Sequence, residues 1–176
     1  MGYRLSSVLF LTMFVALHIM PLYAEEVTIK ATAGWQAQGQ FFQVQDKQAL
    51  FMGAFSGTML VEPKQGELDV AKMLCPGMME VNLNDGAQSA EGRCIITARS
   101  GDRVYATWNC TGVHLAGCKG KLTLIGGTGK FKDITGGGDF QMRSDMVEYA
   151  AKLQGDSVGA AAIGVAEWPA LTYKLP

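Results

Sequence analysis

Apolar residues recur at every second position between Ala49 and Val61, and this period of two predicts a β-strand. Bulky and small side chains alternate on one face of that strand, whose members are Ala49, Phe51, Gly53, Phe55, Gly57, Met59 and Val61. Such alternation is typical of the inside of a small barrel, where a bulky ring needs a gap opposite it. The other face is mixed in polarity, so we expect it to be covered by a second copy of the chain or by the segment from Glu62 to Met73.

Short apolar runs between turn signals predict a meander of further antiparallel strands. The turn signals are Asn-Asp-Gly at 84–86, Ser-Gly-Asp at 100–102 and Gly-Gly-Thr-Gly at 126–129. The strands predicted around them are Met78–Leu83, Gly92–Arg99, Arg103–Cys110 and Cys118–Ile125. Within the third strand, we expect the alternate residues Val104, Ala106, Trp108 and Cys110 to point inward. The pattern indicates an all-β fold, either an antiparallel barrel or a sandwich.

The C-terminal third carries two further signals. Residues Val158 to Val165 are almost all Gly, Ala, Val or Ile, and such small side chains would let this segment close the sheet against the N-terminal strand. Before it, Asp145 as N-cap and Glu148 three residues later predict one short helix, which Gly155 would end. Ala150 and Ala151 in between favour the same helix.

Residues 1–24 have the pattern of a cleavable signal peptide. Arg4 provides the positive start, an apolar run extends from Val8 to Met20, and cleavage is predicted after Ala24. This run of 13 residues falls short of the roughly 20 that a membrane-spanning helix needs. We therefore expect an exported protein, periplasmic or secreted, with no membrane span once the leader is removed.

The remaining chain, residues 25–176, is predicted to be a single domain without a linker or a repeat. Arg4 is the only charged residue of the leader, so 14 basic and 16 acidic side chains remain, a formal net charge of −2. Nucleic-acid-binding surfaces require clustered basic residues, and no such run occurs. We expect no nucleic-acid partner.

Four cysteines, all after the leader, suit an oxidising compartment and two disulfides. In the predicted meander all four lie in roughly one row across the sheet. Neighbouring strands are about 4.8 Å apart, and a disulfide tolerates Cα separations only up to about 7 Å. Pairing of Cys75 with Cys110 or Cys118 is thereby excluded. The predicted bridges are Cys75–Cys94 and Cys110–Cys118.

The segment from Cys118 to Phe140 contains a glycine cluster that superficially resembles a phosphate-binding loop. A P-loop requires a glycine five residues before its Gly-Lys pair and Ser or Thr after the lysine, but Leu124 and Phe131 occupy those positions. A dinucleotide fingerprint would need glycine where Lys132 stands. We interpret Gly126, Gly127 and Gly129 as turn residues with positive φ, and Gly136, Gly137 and Gly138 as the start of the next strand.

The Gly-Gly-Thr-Gly-Lys-Phe turn at 126–131, followed by a further glycine and a Gly-x-Phe strand, resembles the allene oxide cyclase-like and dirigent-like barrel families. The broader resemblance, to bacterial secreted proteins with allene oxide cyclase-like barrels, extends from about Met73 to Phe140. It implies a small antiparallel β-barrel of calycin-type architecture. It carries over no catalytic residue, because the family's proline, asparagine and glutamate have no matching positions here.

Side chains suited to metal binding or nucleophilic catalysis are few. His114 is the only histidine after the leader, and it would have to serve any Ser-His-Asp triad. Structural zinc usually recruits four Cys or His ligands, whereas these cysteines are predicted to be bonded. Met73, Cys75, Met78 and Met79 form one cluster of soft donors that could select cuprous copper. Methionine more often fills a core, so we expect no metal and no other cofactor.

Carboxylates are scattered along the chain, and burial could adapt one of them to acid–base catalysis. The candidates are Glu80, Asp85, Glu91, Asp139 and Glu148. Most such residues are solvated charges at turns and strand edges. We therefore designate no catalytic residue.

Aromatic and methionine side chains dominate the predicted inner faces. We expect them to line a site for a small apolar or lipid-like ligand, whose candidates are Trp35, Phe41, Phe51, Phe55, Met59 and Trp108. An eight-stranded barrel is just wide enough for its own side chains or one small ligand, so a filled core is the alternative. The predicted function is noncatalytic binding of an apolar molecule. The alternatives are a cyclase or isomerase acting in the cavity, and a structural or partner-binding subunit that uses the exterior and forms a homo-oligomer.

Overall fold

The computed structural model describes residues 26–63, 68–154 and 157–175, and the predicted leader at 1–24 lies outside them. Eight β-strands and a single 3₁₀ turn, Gly129–Phe131, make up the regular structure of these residues. The strands are β1 (Glu26–Gln45), β2 (Gln48–Glu62), β3 (Val70–Asn82), β4 (Ala87–Thr97), β5 (Arg103–Val113), β6 (Gly117–Gly127), β7 (Thr135–Gln154) and β8 (Ser157–Lys174). None of the described residues forms a helix long and apolar enough to cross a membrane.

The strands form one closed antiparallel barrel in which each pairs with its successor and β8 pairs with β1. The predicted all-β barrel is confirmed. The predicted closure by the small-residue segment is confirmed as well, because Val165 lies opposite Gly34 and Ala162 lies opposite Ala37. The seam ends in an ion pair between Lys174 Nζ and Glu26 Oε2 at 2.7 Å.

The interior is packed by aromatic rings that lie against glycines on neighbouring strands. Gly39, Gly53, Gly77 and Gly92 face one another in register across β1 to β4 and form a glycine row. The ring of Phe51 occupies the space beside the first two glycines, and the indole of Trp108 occupies the space beside the last two. The alternation of large and small side chains predicted for β2 therefore has the expected cause.

The short helix predicted from Asp145 to Gly155 is wrong, because residues 145–154 continue β7. Their backbone pairs with β8, for example Asp145 with Ile163 and Ala150 with Gly159. This pairing satisfies the backbone donors and acceptors that a helix would have satisfied locally, so tertiary context overrides the helix propensity. Gly155 lies outside the described residues.

The two ends of the barrel differ. At the packed end, the 3₁₀ turn brings Phe131 into the core, where it is buried together with Ile134 and Met59. At the open end lie the turns that connect β1 to β2, β3 to β4 and β5 to β6. Here β7 continues through residues 143–154 beyond its last pair with β6, Cys118 opposite Met142.

The glycine turn after β6 needs glycine for two different reasons. Gly126 and Gly129 have φ of 133° and 53°, as predicted, which only glycine adopts without strain. The prediction of positive φ at Gly127 is wrong, since it is not among the residues with positive φ. A Cβ there would lie 2.5 Å from the carbonyl oxygens of both Arg103 and Phe131, so close backbone approach requires this glycine.

Both predicted disulfides, Cys75–Cys94 and Cys110–Cys118, are present. The predicted single row of cysteines is wrong. Cys94 lies opposite Ala106, whereas Cys110 lies opposite Ala90, four residues away along β4. The first bridge therefore lies nearer the packed end of the barrel and the second nearer the open end.

Candidate functional site

Two adjoining cavities lie inside the barrel. The lower cavity, of about 40 Å³, is enclosed by three tryptophans and the Cys75–Cys94 bridge. The upper cavity, of about 50 Å³, lies toward the open end. Trp35, Phe55 and Met142 line both cavities and separate one from the other.

Phe55 is the centre of the aromatic cluster. Its ring meets Trp35 edge to face at 5.3 Å and Trp108 at 5.5 Å between centroids. Phe51 lies 6.3 Å away on the same strand, and Phe41 extends the cluster to the open end, 5.1 Å from Phe51. Edge-to-face contacts of this kind stabilise by about 0.5–1.5 kcal/mol beyond simple burial, so Phe55 is held in place by several neighbours at once.

Five of the six residues predicted to line a ligand site border the cavities. Trp35 and Phe55 border both, Trp108 the lower, and Phe41 and Phe51 the upper. Met59 faces inward but lines neither cavity, because it lies at the packed end, opposite Ala33 and Ala71.

The sequence prediction did not include the polar residues of the upper cavity, Gln88, His114 and Ser144. Gln88 is buried and donates a hydrogen bond from Nε2 to the carbonyl oxygen of Gly117 at 3.4 Å. The side chain of Gln88 points inward because residues alternate between the two faces of β4. Ala90, Cys94 and Ile96 lie on the same face as Gln88 and are buried. That signal was available in the sequence.

His114 joins the mouth of the upper cavity to a second turn. Its backbone N–H donates to the carbonyl oxygen of Gly86 at 2.8 Å, which ties the β5–β6 turn to the β3–β4 turn. Its ring meets Phe41 edge to face at 5.7 Å. Burial disfavours the charged imidazolium and lowers the pKa of His114 from its ordinary value of 6.5.

The lowered pKa of His114 predicts that the fold loses stability in mild acid. Below pH 6.5 the unfolded chain takes up a proton on this side chain that the folded protein resists, so the free energy of unfolding falls as the pH falls. Denaturant titrations between pH 7.5 and pH 5 should show a smaller loss of unfolding free energy in the variant His114→Gln than in the wild-type protein. Equal pH dependence in both proteins would contradict the prediction.

The three tryptophans of the lower cavity have buried indole Nε1 atoms without a hydrogen-bond partner among the described residues. For Trp108 the cause is visible. A Cβ built on Gly92 would lie 2.8 Å from Trp108 Nε1, so this nitrogen faces the barrel wall at Gly92. An unsatisfied donor costs about 1–3 kcal/mol. The packing of the Trp108 indole against Gly92 therefore leaves the Nε1 donor without a hydrogen bond.

The donors considered for copper do not converge. Cys75 is disulfide-bonded, and Met73 and Met79 point inward to different cavities, while Met78 is exposed on the outer face of β3. The strand β3 continues through Pro76 and Gly77 without interruption. No group of three or more metal-binding His, Cys, Asp or Glu side chains occurs in the parts of the chain that are described.

Four of the five candidate carboxylates are exposed: Glu80, Asp85, Glu91 and Asp139. None of them lines either interior cavity. Glu148 lies in β7, where only the backbone is described. Among the described side chains, the polar groups next to the cavities are therefore an amide, an imidazole and a hydroxyl.

The chain is a closed eight-stranded antiparallel barrel. One solved structure with a similar fold is described as that of the pterocarpan synthase dirigent protein GePTS1. It is 9% identical in sequence, with a TM-score of 0.47 over 88% of this chain and 94% of that one. A similarity this distant says nothing about activity or site residues. No protein-family model and no curated protein matches the sequence.

Proposed function

We propose that this protein is exported and binds a small apolar molecule, without catalysis, in the interior of the barrel at its open end. The single observation that carries the proposal is the pair of adjoining cavities with almost wholly apolar walls. Apolar cavities stay dry, and a dry cavity binds apolar molecules because no water has to be displaced from polar partners.

The size of the cavities limits the ligand. They measure about 40 and 50 Å³, against roughly 300–1,000 Å³ for the pockets that hold drug-sized molecules. A ligand no larger than a single ring fits this scale only if it displaces Phe55 from its contacts with Trp35 and Trp108 and so joins the two spaces. We therefore propose a compact apolar ligand rather than an extended lipid chain.

The residues around the cavities support binding over the cyclase or isomerase alternative. General acid–base catalysis needs a titratable group within hydrogen-bond reach of the reacting atoms. The four candidate carboxylates whose side chains are described, Glu80, Asp85, Glu91 and Asp139, point to solvent, and His114 is the one titratable side chain among the described residues that line the cavities. Gln88, His114 and Ser144 at the upper cavity are suited to orienting a ligand that carries one polar group.

Two features support export. The chain begins with a signal-peptide pattern, and its four cysteines form two disulfides, which persist in oxidising compartments. We propose the periplasm or the cell exterior as the site of action.

Toluene is a suitable probe for the proposed site, because it is apolar and contains one ring. We expect toluene to raise the melting temperature of the wild-type protein and to give saturation-transfer NMR signals. The variant Ala162→Val, which places two methyl groups into the upper cavity, should abolish both effects. Ala170→Val, on the exposed face of β8, is the matched control and should bind as the wild type does. Toluene binding that survives Ala162→Val, or no binding to the wild type, would refute the proposal.

A further inference from the structure

The outer faces of β2 and β3 carry an apolar patch. Five of the twelve exposed large apolar residues in the described chain lie on these two strands, each between 40% and 52% exposed. They are Met52, Leu60, Val70, Leu74 and Met78. We call these five residues the β2/β3 patch. Clusters of exposed apolar side chains mark interaction sites.

The members of the β2/β3 patch are neighbours across the two strands. Met52 lies opposite Met78, and Leu60 lies opposite Val70. The segment from Glu62 to Met73, expected as one alternative cover, forms in its described part the end of β2, residues of the turn and the start of β3. It leaves the patch exposed.

A groove of about 630 Å³ borders the patch on the outside of the barrel. Its floor follows part of the glycine row, Gly53, Gly77 and Gly92, and Met52, Pro76 and Met78 form its apolar side. A groove beside protruding apolar side chains can receive the side chain of a partner. The adjoining residue Leu74 is 47% exposed and protrudes from the same strand.

The outward positions of β3 form a pattern that is complementary to itself. In order they are Lys72, Leu74, Pro76, Met78 and Glu80, and all five are exposed. A two-fold axis through Pro76 that reverses the strand direction places Lys72 of one copy opposite Glu80 of the other. The same axis places Leu74 opposite Met78 beside the groove, and each contact occurs twice.

We propose that two copies of this chain associate through the β2/β3 patch, with their β3 strands antiparallel and Lys72 paired with Glu80 of the second copy. Apolar contact supplies most of the affinity, because an exposed ion pair contributes only about 0.2–1 kcal/mol. The two ion pairs fix the direction of the strands. Glu91 and Arg93 on β4 also border the groove.

Sedimentation velocity of the mature protein is the primary test, and a dimer is expected. Leu74→Glu places a charge in the centre of the contact and should give a monomer. Ile163→Glu is the matched control, since Ile163 is 51% exposed on β8, away from the contact, and this variant should remain dimeric. Circular dichroism checks that both variants are folded.

A charge exchange tests the proposed strand direction. Lys72→Glu and Glu80→Lys should each weaken the dimer about tenfold, since each creates two like-charge contacts. The double variant Lys72→Glu/Glu80→Lys restores opposite charges and should recover the wild-type dissociation constant. A monomeric wild type, a trimer, a dimer that tolerates Leu74→Glu, or a double variant as weak as the single ones would each overturn the proposal. Toluene binding is measured separately on the variant Leu74→Glu. The proposed dimer and the proposed ligand site can then be accepted or rejected independently of each other.

Discussion

Replacing Gly77 by valine is expected to lower the free energy of unfolding by at least about 3 kcal/mol, the upper range for overpacked cores. A Cβ at this position would lie 2.6 Å from the carbonyl oxygen of Glu91 and 2.6 Å from Cζ2 of Trp108. The backbone of β4 and the indole confine the site on two sides, so neither can move without disturbing the other. Guanidinium denaturation followed by tryptophan fluorescence measures the effect.

Gly34→Val is the matched control for Gly77→Val. Gly34 also lies within a strand, but nothing approaches within 4 Å of the position of its Cβ, and it is exposed. Valine favours strands over glycine by up to about 1 kcal/mol, so this variant should be as stable as the wild type or slightly more so. Similar losses in both variants would show that the glycine row has no special role.

Removal of the Cys75–Cys94 bridge is expected to be the second large effect. The sequence separations of the bridges, 19 and 8 residues, correspond to about 3.3 and about 2.6 kcal/mol in the chain-entropy model. Cys75 and Cys94 also line the lower cavity, so their replacement by alanine enlarges an existing void and adds to the loss.

Two double variants test whether the Cys75–Cys94 bridge stabilises the fold more than the Cys110–Cys118 bridge. Cys75→Ala/Cys94→Ala should unfold at a lower denaturant concentration than Cys110→Ala/Cys118→Ala, and both should unfold below the wild type. The reverse order, or no loss in either variant, would contradict the prediction. Measurement under non-reducing conditions keeps the remaining bridge intact in each case.

The strands and the disulfide pairing could be predicted because they depend on local periodicity and on the spacing of neighbouring strands. The alternation from Ala49 to Val61 lies within β2, and the distance limit on a disulfide excluded pairings between distant strands. Register could not be predicted in this way. The turn between β4 and β5 sets Cys94 opposite Ala106, and a shift of the pairing by an even number of residues would leave the same side chains facing inward.

Residues 145–154 show where local propensity misleads. A cap-like Asp145, Glu148 and two alanines favour a helix, yet the partner strand β8 is 18 residues long and pairs with this segment. The pairing of this segment with β8 arises from the closed barrel. It cannot be predicted from the residues of the segment and its immediate neighbours alone.

The composition of the candidate site was predictable, but its position was only partly so. Alternation shows which residues face inward but not at which end of the barrel they lie. The sequence therefore places Met59 beside Phe41 among the ligand-site candidates, although the two lie toward opposite ends. His114 comes from a turn that meets the cavity only when the barrel is closed.

The seam between β1 and β8 has a consequence for how the protein is made. The first described strand has its partner in the last one, with Glu26 opposite Lys174, so the barrel cannot close before β8 has been synthesised. If the protein is exported as proposed, it crosses the membrane before β1 has paired with β8. Contacts this distant in sequence also form slowly, and the newly delivered polypeptide spends that interval exposed to proteases and chaperones.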